Sequence, residues 1–303
     1  MEKAAYRRQV ELMLNVLTEV AKEKCFALHG GTAINLFVRE MPRLSVDIDL
    51  TYVPVEDRTT SLANIQSGLE RIKESVERII ANVRVMLRPD SGKLQISASG
   101  VGIKLEVNPV TRGTLSEPLE MELCAKAQND FEAFCSIHVV PLGQLYGSKI
   151  CAALDRQHPR DLFDVKYLLK NEGFSKQIKT GFLLALLSSD RPIHEVISPN
   201  FQDQHLAMAN QFSGMSDEEF SYKEYEEVRA TMVRTIHESL TGEDLKFLLS
   251  FAHLMPDWDI YDFERFPAIV WKLTNLQKLK DNNPVKYREQ YDALEKTLNA
   301  FNK

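Results

Sequence analysis

The sequence has 303 residues, of which 44% are hydrophobic and 26% are charged, and its formal net charge is −6. A chain of this length can bury a full core and form one large or two modest domains. The acidic balance argues against a protein that coats nucleic acid non-specifically, but it does not exclude a local basic cleft.

The N-terminus and the cysteines indicate the cellular compartment in which the protein is expected. The first residues, MEKAAYRRQVELMLNVL, carry charge from the start, and no apolar run in the chain approaches transmembrane length. The four cysteines, Cys25, Cys124, Cys135 and Cys151, lack the paired spacing of metal sites. We therefore expect reduced, buried thiols in a cytoplasmic protein.

The first part of the chain alternates between helical and strand patterns. Apolar residues at helical spacing predict a first helix, and alternating apolar residues predict strands. The predicted elements are a helix over 3–23, a strand over 25–28, a helix over 32–39 that ends before Pro42, and a strand over 45–52.

The middle of the chain predicts more strands, and the rest predicts helices. The predicted elements are a helix over 61–82 and strands over 84–87, 93–98, 103–107 and 136–140, with hairpin turns at the intervening prolines and glycines. From residue 142 the helical period continues, with loops near 190–200, 213–216 and 256–268. The prediction is an α+β protein with a mixed-sheet domain over 1–141 and a helical domain over 142–303.

Two pairs of residues suggest chemistry near the start of this sheet. Gly30 and Gly31 lie between a strand and a helix, where free backbone N–H groups and the helix dipole favour an anion such as phosphate. Asp47 and Asp49 are two residues apart, so on a strand they share one face at a spacing of about 6.6 Å. Two such carboxylates repel each other unless a cation lies between them, and oxygen ligands suit Mg²⁺ or Mn²⁺. Together they suggest a site for a nucleoside triphosphate.

Glu106 is a candidate third carboxylate. It lies between Leu105 and Val107 in a predicted strand. If that strand is an antiparallel neighbour of the Asp47 strand, Glu106 reaches the same metal site. An exposed glutamate with no ligand role is an equally good interpretation.

The run GGTAINLFVREMPRLSVDIDL resembles the first motif of the DNA-polymerase-β-type nucleotidyltransferase superfamily. It is more closely similar to the AbiEii/AbiGii toxins of bacterial toxin–antitoxin and abortive-infection systems, which include the MenT toxins. That family has a glycine pair, a hydrophobic helix, an arginine, a serine and an acidic pair in this order, matched here by Arg43 and Ser45 ahead of the aspartates. Its later lysine and arginine–aspartate pair match Lys149 and Arg160-Asp161.

The resemblance implies transfer of a nucleotide from an NTP to RNA, with tRNA 3′ ends as the expected acceptor. Asp47 and Asp49, with Glu106, would hold Mg²⁺ or Mn²⁺. The expected nucleotide-binding residues are Gly30, Gly31, Thr32, Arg43, Ser45 and Lys149. The resemblance also implies a cognate antitoxin as partner, and it gives no reason to expect DNA or a membrane.

In the second domain, Lys149 and Asp161 are expected to contribute to the catalytic cleft. Lys149 would neutralise the triphosphate. Asp161 or Asp164 would accept the proton of an incoming hydroxyl or would orient Lys149. Each has a structural alternative, since Lys149 could be a surface lysine and Asp161 could stabilise the first turn of its helix.

Two other functions remain open at this stage. The same metal and phosphate groups would serve a phosphotransferase acting on a protein or on itself, although the sequence has neither a kinase glycine loop nor a Walker motif. The domain could also be a catalytically inactive RNA- or protein-binding module. Retention of both aspartates together with Lys149 and Asp161 argues against that reading.

Overall fold

A seven-stranded mixed sheet organises the first half of the chain in the computed structural model, which describes residues 2–301. The strands are β1 (Phe26–His29), β2 (Asp47–Tyr52), β3 (Arg84–Arg88), β4 (Lys93–Ala98), β5 (Val101–Val107), β6 (Leu119–Glu122) and β7 (Ser136–Val139). Their spatial order is β3-β4-β5-β2-β1-β7-β6. The predicted mixed sheet followed by helices is confirmed.

The neighbours of β2 are an antiparallel β1 and a parallel β5. The prediction that the Glu106 strand would be an antiparallel neighbour is therefore wrong in direction, although it is right about adjacency. After β2 the chain crosses over through a helix, and β3, β4 and β5 then form two successive antiparallel hairpins. Because each hairpin reverses the chain, β5 runs in the same direction as β3. The helical crossover between β2 and β3 makes that direction parallel to β2.

Four helices accompany the sheet: α1 (Glu2–Val20), α2 (Gly30–Ala33), α3 (Arg58–Ile79) and α4 (Ala125–Phe131). The apolar residues of α1 are buried, among them Val10, Met13 and Leu17, and α1 packs against β5 and β7. The helix α2 continues as a π-helical turn over Ile34–Val38.

Sequence patterns did not predict β6 and α4. The four residues of β6, LEME, are mostly exposed at the edge of the sheet. A strand that buries neither face shows no alternation of apolar residues in the sequence. The strand β6 is therefore recognised only by its hydrogen bonds to β7.

The remainder of the described chain is helical, as predicted. Its helices are α5 (Leu142–Arg156), α6 (Pro159–Asn171), α7 (Lys176–Ser188), α8 (Ile193–Ile197), α9 (His205–Ala207), α10 (Tyr222–Ser239), α11 (Gly242–Ala252), α12 (Pro267–Asn282) and α13 (Pro284–Phe301). The short α8 lies where a loop was predicted, because five residues are too few to show a helical period. Within residues 2–301, no helix is long and apolar enough to cross a membrane.

The chain forms two compact units. The first contains the residues up to Leu145 and also Ala209–Glu219, and the second contains Tyr146–Met208 and the residues from Phe220 onward. The predicted division at residue 141 did not include the return of Ala209–Glu219 to the first unit.

Close packing of α5 on α7 gives a test of the second unit. A methyl group on Gly147 would lie 2.2 Å from the backbone of Gly181 and Phe182. We expect Gly147→Ala to reduce the free energy of unfolding by at least about 1–3 kcal/mol, because the helices must separate. Thermal unfolding measures this.

Gly242→Ala is the matched control, since Gly242 begins α11 and a methyl group there meets nothing within 4 Å. Its effect should stay within about 0.5 kcal/mol. Equal losses of stability in the two variants would contradict the close packing of α5 on α7.

Candidate active site

Asp47 and Asp49 begin β2 and lie on one face of the sheet. Ile48 and Leu50 are buried in the core, whereas the two aspartates are only half-buried. The alternation predicted from sequence is therefore present, because neighbouring side chains on a strand point to opposite faces. Two carboxylates are thus held close to each other at one end of a central strand.

The glycine turn lies directly against this acidic pair. His29, the last residue of β1, is opposite Asp49 in the antiparallel register, and Gly30 follows it. Gly30 has a φ of +72°, and a methyl group there would lie 2.6 Å from Asp49 Oδ2. Only glycine allows both the left-handed backbone and this close approach.

The second glycine rests on the side chains of Arg43 and Ser45. A methyl group on Gly31 would lie 2.8 Å from Arg43 Nη2 and 3.1 Å from Ser45 Oγ. Arg43 is 3% exposed and Ser45 is 7% exposed, so both side chains are buried against the turn. Arg43 also donates a hydrogen bond to the carbonyl oxygen of Leu44.

Thr32 connects the turn to β2. Its buried hydroxyl donates to the carbonyl oxygen of Asp47 at 2.5 Å and lies 3.0 Å from the Ser45 hydroxyl oxygen. On the preceding strand, His29 Nδ1 lies 3.0 Å from the Thr51 hydroxyl oxygen. The predicted phosphate turn, the arginine, the serine and the acidic pair are therefore brought together within the first unit.

Glu106 lies opposite Asp49 in the parallel register between β2 and β5. Its oxygens form ion pairs with Lys93 at 3.2 Å and Lys104 at 2.9 Å. Burial raises the pKa of Glu106, but the two lysines outweigh burial and hold that pKa below its usual value. Its role as a metal ligand stays a prediction.

Lys104 is a neighbour of the acidic pair that the sequence analysis did not single out. It is paired in register with Asp47. Its hydrogen bond to Glu106 is the main reason that its pKa is raised, and the charges of Asp47 and Asp49 add to the effect. The sequence does contain a signal for this neighbour. Lys104 lies two residues before Glu106, and this spacing places both side chains on one face of a strand.

The acidic pair suits a hard divalent cation. Among residues 2–301, no three His, Cys, Asp or Glu side chains are grouped so that they could hold a metal ion by themselves. Mg²⁺ does not need such a cage, because it is commonly held by one or two carboxylates together with the phosphates of a substrate. Asp47 and Asp49, beside a glycine turn, fit that pattern.

Lys149 lies in a buried cluster of charges in the second unit. Its Nζ donates to Asp161 Oδ1 at 2.7 Å and lies 3.1 Å from Asp164 Oδ2, and all three side chains are almost fully buried. Asp161 and Asp164 are three residues apart in α6, so they share one helical face. Lys149 is therefore not a surface lysine.

Arg156 completes this cluster at the end of α5. Its guanidinium donates Nε to Asp161 Oδ2 at 2.6 Å and Nη2 to Oδ1 at 3.0 Å, which is a bidentate pair. Burial raises the pKa of Asp161, but Lys149 and Arg156 outweigh burial and hold it well below its usual value. The carboxyl group thus stays ionised.

The sequence and the fold are both similar to those of known proteins. A protein family described as "Nucleotidyl transferase AbiEii toxin, Type IV TA system" matches residues 11–268. A search of curated proteins gave no significant match. Among solved structures, the chain is similar to MenT4, a nucleotidyltransferase toxin from Mycobacterium tuberculosis H37Rv, with 11% identity and a TM-score of 0.62. That match covers 91% of this chain and 94% of the other, and it supports the fold.

The buried cluster predicts a specific loss of stability. We expect Asp161→Asn to reduce the free energy of unfolding by about 3–5 kcal/mol, because Lys149 loses a buried partner. Since the folded pKa of Asp161 is depressed, its contribution is present above the unfolded pKa of about 3.9 and is lost as pH falls through the lower folded value. The difference between wild type and variant should therefore shrink below about pH 4.

Asp155→Asn provides the control. Asp155 pairs with Arg191 at 2.8 Å, but both side chains are at least 40% exposed, so the loss should be under about 1 kcal/mol. Thermal unfolding between pH 3 and pH 8 measures both variants. If Asp161→Asn were as mild as Asp155→Asn, the cluster would not stabilise the second unit as inferred.

Proposed function

The chain belongs to the AbiEii family of nucleotidyltransferase toxins of type IV toxin–antitoxin systems, and on that premise we propose its substrates and the roles of its residues. The donor is a nucleoside triphosphate, the acceptor is RNA, with the 3′ end of tRNA as the expected target, and the reaction depends on a divalent cation. A cytoplasmic location belongs to the same proposal, because both substrates are found there.

The observation that carries this proposal is the contact between the glycine turn and the acidic pair. Gly30 approaches Asp49 so closely that no Cβ fits between them. Backbone N–H groups that can bind phosphate therefore lie beside carboxylates that can bind a cation. A metal-bound triphosphate needs both at one place.

The proposed reaction is a displacement at the α-phosphorus. The acceptor hydroxyl oxygen forms a bond to the α-phosphorus, the bond from that phosphorus to the oxygen bridging to the β-phosphate breaks, and pyrophosphate leaves. The hydroxyl proton passes to solvent. Asp47 and Asp49 would hold a divalent cation, which would supply positive charge for the attacking and leaving oxygens.

Gly30 and Gly31 would contact the β- and γ-phosphates through their backbone N–H groups. Thr32, Arg43 and Ser45 are almost fully buried, which supports a different contribution from them. We assign them to holding the turn in its shape, with the Arg43 guanidinium adding a positive charge beneath Gly31. A preorganised turn loses less conformational entropy on binding phosphate than a flexible loop does.

Between the two roles considered for Asp161, its contacts favour orientation over proton transfer. Its Oδ1 accepts hydrogen bonds from Lys149 and Arg156, and its Oδ2 accepts one from Arg156. Its depressed pKa makes it a weak base. We therefore propose that Asp161 and Asp164 orient Lys149, whose assignment to charge neutralisation on the triphosphate comes from the family motif.

The proposal is tested by following the label from triphosphates that carry it at the α or the γ position, with total tRNA as acceptor. We expect α-label to enter RNA, and we expect Asp49→Asn to reduce this transfer about a hundredfold or more, because the charge that holds the cation is halved. Asp90→Asn, at an exposed position in the turn between β3 and β4, should leave the rate unchanged.

Other destinations of the label contradict the proposal. γ-Label that appears in protein would indicate a phosphotransferase. If no label moved from any of the four triphosphates, the reading as an inactive binding module would be favoured. Full activity of Asp49→Asn, with an unchanged melting temperature, would show that Asp49 is not needed for the reaction and would contradict the assignment of the acidic pair to the site.

The close approach at Gly30 gives an independent test. We expect Gly30→Ala to reduce nucleotide transfer at least tenfold, because the new methyl group displaces the Asp49 carboxylate. Gly100→Ala introduces a side chain at a similar φ of +77° but meets nothing within 4 Å. Both variants carry backbone strain of about 1–2 kcal/mol, so a loss of transfer in Gly30→Ala alone identifies displacement of Asp49. Equal loss in both would contradict this assignment.

A further inference from the structure

The segment between the end of the helical turn after α2 and the start of β2 has little regular structure, yet it carries buried residues that contact the glycine turn. Met41, Arg43, Leu44 and Ser45 are each at most 7% exposed, and Met41 has a φ of +48°. Buried backbone groups outside helices and strands require hydrogen-bond partners from elsewhere. We call residues 41–45 the arginine segment.

Those partners come from a part of the chain that is remote in sequence. The Leu44 amide donates to the carbonyl oxygen of Met215 at 2.7 Å, and Arg43 and Ser216 pair as an isolated antiparallel bridge. The Ser216 hydroxyl donates to the carbonyl oxygen of Pro42 at 2.9 Å. We call residues 209–219 the strap, and it belongs to the first unit together with the arginine segment.

The strap has its own anchors. Phe212 and Met215 are buried at 6% and 4% exposure, and the Met215 amide donates to the carbonyl oxygen of Phe212 at 3.0 Å in a turn that contains Gly214. The Ser216 hydroxyl also accepts from the Glu218 amide. The strap therefore presents a fixed row of polar groups to the arginine segment.

Arg43 and Ser45 connect the strap-bound segment to the glycine turn. Both side chains lie against the α-carbon of Gly31, within 2.8 Å and 3.1 Å of where its Cβ would be. A shift of the arginine segment by a few tenths of an ångström would therefore move the glycine turn. Pro42 and Leu44 have hydrogen bonds to the strap, so the strap restrains the distance of the arginine segment from the turn.

We propose that the strap positions Arg43 and Ser45 for triphosphate binding, with Ser216 as its main positioning residue. The inference rests on the proposed function and extends it to a residue of the strap, far in sequence from the glycine turn and the acidic pair. It predicts that loss of the Ser216 hydroxyl weakens nucleotide binding with little effect on the chemical step. Such a change raises KM and leaves kcat near its wild-type value, as expected when uniform binding is lost.

The experiment compares Ser216→Thr with Ser216→Val, which have the same shape and differ only in the hydroxyl. We expect Ser216→Val to raise the Kd for the preferred NTP, in the presence of Mg²⁺, about two- to tenfold, the usual range for one hydrogen bond. Ser216→Thr should bind nearly as the wild type does. Amide hydrogen exchange at Leu44 should be faster in Ser216→Val than in Ser216→Thr.

Ser221→Ala controls for a general loss of stability. Ser221 caps α10 in the second unit, where its hydroxyl accepts from the Glu224 amide, and removal of such a cap costs stability comparable to the loss at Ser216. Its Kd and its Leu44 exchange should stay at wild-type values. Equal Kd values for the Thr and Val variants, or faster exchange spread over the whole first unit in Ser216→Val, would overturn the proposal.

Failure of the proposed function gives a different result. If the wild-type protein binds none of the four triphosphates and transfers no label, the proposed function fails and the nucleotide part of this inference fails with it. Hydrogen exchange at Leu44 needs no substrate, so it still decides whether the Ser216 hydroxyl holds the arginine segment.

Discussion

The close approach of Gly30 to Asp49 is the constraint on which the site depends. The antiparallel register places Asp49 opposite His29, the residue before the turn, and the left-handed backbone at Gly30 turns the chain directly over the carboxylate. The turn proposed to bind phosphate and the carboxylate proposed to bind a cation thereby occupy adjacent positions without any side chain between them. The sheet register, rather than a flexible loop, fixes this distance, so the site is pre-organised before a ligand binds.

Buried charge sets a second constraint in the helical unit. A lysine inside a protein is costly unless it is paired and hydrogen-bonded, and Lys149 has two carboxylate partners, one of which also holds Arg156. The same pairing that makes burial tolerable depresses the pKa of Asp161. A carboxylate used in this way serves poorly as a proton acceptor, and this supports its assignment as a residue that orients the lysine.

The arginine segment shows how support for a site can come from far along the chain. Its residues follow α2 and its π-helical turn within a few positions, but their hydrogen bonds go to Met215 and Ser216. The first unit is thus completed by eleven residues, 209–219, that are preceded and followed in the sequence by the helical unit. The residues beside Gly31 are therefore held by hydrogen bonds to a segment outside the motif at residues 30–50.

The sequence by itself determined the order of elements around the acidic pair and the glycines, and the period change to helices after residue 142. Local periodicity is enough for this, because the alternation around Asp47 and Asp49 follows directly from strand geometry. Tertiary structure decided the direction of β5, the pairing of Glu106 with Lys93, the burial of Lys149 between Asp161 and Asp164, and the return of the strap. These features depend on contacts between segments that are distant in sequence. The periodicity of a single sequence does not indicate which distant segments will pair.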